Sequence, residues 1–361
     1  MGAELASQAR PAQTSSPASF FDVLYRAFSR AERSAADSVE RSFRIAGKTV
    51  SIRFAGAALM PAITPALEHL ATGSVAGPDL TICVWDAGTT KVPIPRPPWP
   101  GTVYGPRGDI QGFNDDRFQT AYHFGAGALN MLDLSRRLGI YCTRDALGLP
   151  SYEKGSPLRT ILHWAFQPLG LQFVHAGAVG RPEGGVLLAG KGGSGKSTTA
   201  LSCLDSELSY ASDDYSMLEA NPEPYVHSIY NTAKVNADNV ERVAFLRPAI
   251  SNMDRLDQQK ALMFLHQHYP RKLSAGFPIR AILLPRVKGG TATTLTPASS
   301  TDALAALALS TIRQLAGADH RAMALIEKVT SRVPCFYLEL GTDVSRIPGV
   351  ISDLILRGGA A

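Results

Sequence analysis

Apolar side chains at Phe20, Phe21, Val23, Leu24 and Phe28 of "FFDVLYRAFSRAERSAADSVERSF" follow the spacing that lines one face of a helix, and they predict an amphipathic helix near the start of the chain. Alternation then takes over in "SFRIAGKTVSIRFAG", where two short runs around Gly47 and Lys48 predict a hairpin. "DLTICVWDA" reads as a further strand rich in β-formers. From Val92 to Gly112 the pattern breaks, because "VPIPRPPWPGTVYGPRGDIQG" carries too much Pro and Gly for a regular ladder. It predicts a long loop whose aromatic residues near Trp99 fill space. "RFQTAYHFGAGALNMLDLSRRLGIYCTRD" supplies several strand-like runs at the outer edge of the same first unit. The opening "ASQARPAQTSSPAS" reads as a disordered lead-in, assigned to residues 1–18.

The pattern changes again in "SPLRTILHWAFQPLGLQFVHAGAVG", where Leu158, Ile161, Leu162 and Ala165 predict a helix that leads into a strand from Leu171 to Val174. Beyond it, short apolar strands alternate with helical segments: "GGVLLAG", the helix after Ser197, "LSYASDDYSMLE", "RAILLPRV", "ALAALALSTIRQLAG", "CFYLELG" and "IPGVISDLIL". That alternation predicts an α/β sheet covered by helices. At 361 residues two units are expected, an α+β unit over residues 19–153 and a second over 154–361.

Composition narrows the functional classes. The chain is 45% apolar with no run long enough to cross a bilayer, and its +5 charge is scattered rather than gathered into stripes, so neither membrane nor nucleic acid is expected as a partner. The four cysteines, Cys83, Cys142, Cys203 and Cys335, lie far apart without a CxxC pair, which points to reduced thiols and the cytoplasm.

The chemistry concentrates in "GKGGSGKSTTALSCL", which follows a strand-like run and precedes a helix-prone one. It fits G-x-x-x-x-G-K-[ST] at Gly190, Gly195, Lys196 and Ser197. Glycines in such a loop let successive N–H groups point at an anion, and Gly190, Gly192, Gly193, Ser194, Gly195, Lys196, Ser197 and Thr198 are the candidate nucleotide cradle. Lys196 is suited to neutralise β and γ phosphates and the Ser197 hydroxyl to sit on Mg²⁺, which makes ATP and Mg²⁺ the expected cofactors. Asp213 and Asp214 follow a strand-like run about 17 residues beyond Lys196, so one carboxylate can hold the metal while the other accepts a proton. His175 ends "LQFVH" 15 residues before the loop. Asn231, Thr232 and Lys234, and the basic trio Arg271, Lys272 and Arg280, are further candidates for gripping phosphate or acceptor.

The order "VHAGAVG", P-loop, "SDD" resembles the catalytic domain of bacterial HPr kinase/phosphorylase over roughly residues 155–300. The resemblance implies a P-loop kinase fold of the phosphoenolpyruvate carboxykinase type, with ATP and Mg²⁺ phosphorylating a serine hydroxyl of a peptide or protein, and homo-oligomers occur in that family. It also implies that His175 lies near the reacting phosphate, that Asp213 or Asp214 is the base, and that Ser197 with the other carboxylate, taken as Asp214, holds the metal. "VHSIYNTAKVNADNV" stands where the family carries a glycine-rich signature. In this and in its first half the chain is more similar to the HPr-kinase-like proteins of peptide-tailoring gene sets, including those acting on a terminal serine of lasso peptide precursors. A small-metabolite kinase and a non-catalytic nucleotide-binding module are the competing expectations.

Overall fold

The computed structural model describes residues 16–35 and 37–359. Residues 1–15 of the expected lead-in lie outside the described residues. The rest of that lead-in is not loop: Ser16 caps α1 (Pro17–Ser34) by accepting from the Ser19 N–H, with Pro at the first helical position, so Pro17 and Ala18 belong to the helix.

The chain is a mixed α/β protein. Its first sheet has seven strands: β1 (Val39–Ile45), β2 (Lys48–Phe54), β3 (Ala71–Thr72), β4 (Leu80–Asp86), β5 (Phe118–His123), β6 (Ala128–Asp133) and β7 (Leu138–Thr143), in the order β3-β1-β2-β4-β7-β6-β5. The predicted hairpin is β1–β2, turned at Ala46 and Gly47 with φ of 46° and 75°, two left-handed residues as a tight hairpin requires. β7 lies inside the sheet, parallel to β4, and of β5, β6 and β7 only β5 is at an edge, so the late strands are less peripheral than the sequence suggests. α1 packs Phe21, Leu24 and Phe28 against one face, where Trp99 closes on Phe20 and Phe113 at 5.0 and 4.6 Å; the Pro-rich stretch is the expected space-filling loop. The other face carries α2 (Met60–Leu67).

Short helices α3 (Ala87–Thr90) and α4 (Ser151–Lys154) precede α5 (Arg159–Phe166), which starts where its apolar spacing predicts. α5 packs Ile161, Leu162, Trp164 and Phe166 into the core of the first sheet, together with Phe173, Tyr215, Tyr230 and Leu315 from the later chain. Hydrophobic burial is therefore continuous across residue 153, and the two halves share one wall.

The second sheet has nine strands: β8 (Leu171–Val174), β9 (Gly177–Arg181), β10 (Gly184–Leu188), β11 (Ser209–Ser212), β12 (Ser216–Glu219), β13 (Tyr225–His227), and then, after a separate β14 (Thr232–Val235) and β15 (Ala261–Phe264) pair, β16 (Gly276–Val287), β17 (Thr294–Ala298) and β18 (Cys335–Leu340). β10, β16 and β18 run parallel at its centre. Helix α6 (Lys196–Ser202) follows β10, α7 (Ser300–Gln314) and α8 (His320–Thr330) cover one face, and α9 (Ile347–Leu356) packs with α6 on the other. No helix among the described residues is long and apolar enough to cross a membrane, and all four cysteines are buried and unpaired.

Candidate functional site

A loop leaving the C-terminal end of a parallel strand faces the crevice where open α/β sheets bind ligands. Here the loop is Ala189–Gly195, and the ends of β16 and β18, Val287 and Leu340, share a cavity of about 810 Å³ with it. The chain can make this turn only through glycine at Gly195, where φ is +107° and an added Cβ would stand 2.3 Å from Leu340 Cδ1. Gly192 differs, because nothing lies within 4 Å of its Cβ position. Ser194 N–H bonds back to Lys191 O at 3.3 Å, whereas the amides of Gly192, Gly193, Gly195 and Lys196 donate to no acceptor among the described residues. The loop thus presents a ring of idle donors.

Lys196 is buried beneath them, its Nζ donating to Gly190 O at 2.6 Å and Lys191 O at 3.3 Å. Burial draws its pKa below the usual lysine value, against the pull of Asp213 and Asp214. An anion in the loop would replace these two carbonyl contacts with opposite charge.

The acidic pair sits in the turn between β11 and β12. The Ser212 and Ser216 hydroxyls bond each other and both reach Ala176 O, at 3.3 and 2.9 Å, which fastens this turn against the His175 segment. Asp213 is 2% exposed; its Oδ2 accepts from Lys234 N–H at 3.0 Å and its Oδ1 is enclosed without a hydrogen-bond partner. Burial raises the Asp213 pKa above the carboxylate norm, and the charge of Asp214 pushes the same way, against the Lys234 amide and the Ser197 hydroxyl. Asp214 goes in the opposite direction. Burial would raise it, but Lys234 Nζ on Oδ2 at 2.5 Å and His175 Nε2 on Oδ1 at 3.1 Å hold it well below the usual range. Two adjacent carboxylates are therefore driven apart in acidity, a pattern that separates acid–base roles.

Of the two aspartates, Asp213 is the one the Ser197 hydroxyl acts on, while both Asp214 oxygens are engaged by His175 and Lys234. The other predicted residues divide. Gly192, Gly193, Gly195, Lys196, Ser197, Thr198, His175, both aspartates and Lys234 line the cavity, whereas Gly190 and Ser194 are not part of its lining. Asn231 and Thr232 are structural: Asn231 Nδ2 donates to Pro65 O and Ala66 O, and Thr232 Oγ1 donates to Gly155 O at 2.6 Å. Lys272 is spent on Ser206 O and Arg280 on Glu183 O, and with Arg271 they stand outside the cavity lining.

Sequence reasoning missed Arg159, Tyr215 and Gln314. Gln314 Nε2 donates to His175 Nδ1 at 3.2 Å, while its Oε1 accepts from Tyr215 OH, which in turn accepts from Arg159 Nη1 at 2.9 Å. With the amide so oriented, the ring proton of His175 is on Nε2, aimed at Asp214. Tyr215 follows the acidic pair directly, a signal that was available. Gln314, 139 positions from His175, gave none.

No protein-family model matches the chain, and no curated protein matches it in sequence. Among solved structures, that of the HPr(Ser) kinase/phosphatase from Coxiella burnetii aligns with 52% of this chain and 99% of its own, at 10% identity and a TM-score of 0.30.

Proposed function

We propose that this chain is an ATP- and Mg²⁺-dependent kinase that transfers the γ-phosphate to a serine hydroxyl of a peptide or protein, a ribosomally made, lasso-type precursor peptide being one candidate acceptor. The observation that carries the reading is the meeting, in one cavity, of a glycine loop with idle amides and two neighbouring carboxylates of opposed acidity. A pure nucleotide-binding module has use for the first and none for the second.

The donor set fits magnesium. Among the described residues no cluster of three or more His, Cys, Asp or Glu offers a protein cage, so a cation would take the Ser197 hydroxyl and Asp213, whose enclosed Oδ1 lacks a partner, and complete its shell with phosphate and water. When bound, the ion supplies charge neutralisation at the phosphates. Loop amides and Lys196 hold the β and γ phosphates. Asp214 accepts the serine proton as the serine O–P bond forms and the bond to the leaving ADP oxygen breaks, and His175 fixes the orientation of the carboxylate. Lys234 sits where it can turn from Asp214 to the transferring phosphoryl group, which would free the base as the charge develops. Residues 19–153 would serve acceptor recognition, since Pro150, Ser151 and Tyr152, at the end of that stretch, form part of the cavity wall.

The test is incubation with γ-labelled ATP, Mg²⁺ and serine peptides, with mass spectrometry locating the added phosphate. Label on a peptide serine supports the reading. Label on small hydroxyl compounds alone would replace it with a metabolite kinase, and tight ATP binding without transfer to any hydroxyl with a regulatory module.

A further inference from the structure

Arg159 is the one recessed cation of the cavity that the proposed transfer leaves without a task. It begins α5, and its Cζ lies 4.9 Å from the Tyr215 ring, which is 5.9 Å from the His175 ring. Nη1 donates to Tyr215 OH, and Nε is enclosed without an acceptor. Nη2 bonds to nothing among the described residues and is not enclosed, and Arg159 lines the cavity. No carboxylate among the described residues lies within ion-pair distance; the acids whose charge reaches it are Glu153, which faces His123 and Tyr141, and Asp214, held by Lys234 and His175. The two other recessed cations of the cavity are both answered, Lys196 by carbonyl oxygens and Lys234 by Asp214, whereas Lys191, Arg242 and Lys260 are exposed to solvent. A guanidinium left with free donors in a recessed wall is costly unless a ligand supplies the anion.

We infer that Arg159 binds an anionic oxygen group, carboxylate or phosphate, carried by the acceptor close to its reacting hydroxyl. The inference rests on the kinase reading for the identity of the hydroxyl, but the anion site itself is independent of transfer. Tyr215 joins the two parts: its ring packs beneath the guanidinium, and its hydroxyl accepts from Arg159 while donating to the Gln314 amide that orients His175. An acceptor seated on Arg159 would hold its hydroxyl one side chain away from the His175–Asp214 pair, and a neutral acceptor would lack this anchor. The nucleotide does not need Arg159, because the loop amides and Lys196 already answer its phosphates.

The test fills the glycine loop first, with Mg²⁺ and a non-hydrolysable ATP analogue, and then titrates three probes by calorimetry: N-acetylserine, N-acetylserinamide and glycerol phosphate. The wild type is expected to bind at least one anionic probe about tenfold or more tighter than the amide, as a charge-assisted pair does; which of the two wins identifies carboxylate or phosphate. Arg159→Gln should erase the preference and Arg159→Lys should restore part of it, with affinity for the ATP analogue unchanged and the melting transition retained in the lysine variant. Equal or absent binding of all three probes by the wild type overturns the inference, as does a preference that survives in Arg159→Gln. Failure of the kinase reading looks different: the anion preference and its dependence on Arg159 would persist in a protein that transfers phosphate to no acceptor. A loss of turnover in Arg159→Gln that is equal for charged and neutral acceptors would place Arg159 on the transferring phosphoryl and also overturn the inference.

Discussion

Asp133 and Asp213 are the same residue at the same kind of place, a buried aspartate where a strand gives way to a turn, and they are treated oppositely. Asp133 ends β6, is fully buried, and is saturated: Arg117 reaches both oxygens at 3.0 and 2.8 Å, and Ser135 Oγ and the Ser135 and Arg136 amides all bond Oδ1. Burial would raise its pKa, but these partners overcome it and hold the carboxyl below its ordinary value. Asp213, just beyond β11, has one amide on Oδ2 and no hydrogen-bond partner on Oδ1, and the nearby Ser197 hydroxyl and Lys196 do not offset burial, which wins. A carboxylate that folding has satisfied is scaffold. One that folding has buried and left short of partners stores a demand that a ligand can meet.

The sharpest test of this contrast is a crossed pair of isosteric substitutions. Asp213→Asn, by removing the carboxylate that would hold the cation, should lower phosphoryl transfer at least about a hundredfold, measured as product by mass spectrometry, yet raise the melting temperature of the metal-free protein at neutral pH. The sign follows from linkage. A raised native pKa means that the native state resists ionisation, so the contribution of Asp213 to stability is present below its unfolded pKa and lost as pH rises through its folded pKa. The gain from Asn should therefore vanish in acid below the usual carboxylate range, where native and unfolded states both carry the proton. Asp133→Asn should do the reverse: no change in transfer rate, and a melting temperature lower by roughly 3–6 °C. If Asp213→Asn destabilises the metal-free protein as Asp133→Asn does, the two sites are alike and the comparison fails.

The glycine loop offers a second contrast of the same kind, with a smaller range. Gly195→Ala forces a Cβ into a left-handed residue and against Leu340, and should reshape the loop. Gly192→Ala meets open space. The first should weaken ATP binding more than tenfold and lower the melting temperature of the nucleotide-free protein. The second should leave that melting temperature unchanged, so that any loss it shows falls on nucleotide affinity alone. Equal loss of apo stability in both would mean that Gly195 is not held by its contact with β18.

What the sequence made legible was local. The glycine loop, the hairpin at Gly47 and the start of α5 are each written in a few adjacent residues whose backbone requirements are short-range. α8 was not read from the sequence, although Ala322, Ile326 and Val329 give it a helical apolar face. The sharing of one core across residue 153 was invisible, since Leu171 and Phe173 carry no mark of which sheet they will pack beneath. The split of the acidic pair was equally hidden. It depends on Lys234, whose backbone N–H serves Asp213 while its side chain serves Asp214, and the spacing between residues 213 and 234 says nothing of that crossing.

The finest distinction lies within the His175 network, where one contact acts on chemistry and its neighbour on architecture. Gln314 occupies the last position of α7, and the end of that helix is tied to the first half of the chain: Arg107 Nη1 donates to Ile312 O and Leu315 O at 2.8 and 2.9 Å, and Trp164 Nε1 donates to Ala316 O at 2.9 Å. The first sheet and its loops thus set where the amide points. Gln314→Leu keeps the volume and removes the donor to His175 Nδ1, so the ring is free to carry its proton on either nitrogen. Transfer should fall by about tenfold with little change in the apparent affinity for ATP, and the ¹⁵N shifts of His175 should move from one tautomer towards a mixture. Arg107→Ala should produce a weaker version of the same shift without touching the cavity. An unchanged tautomer in Gln314→Leu would show that Asp214 alone orients the imidazole, and that the first half of the chain has no hold on the base.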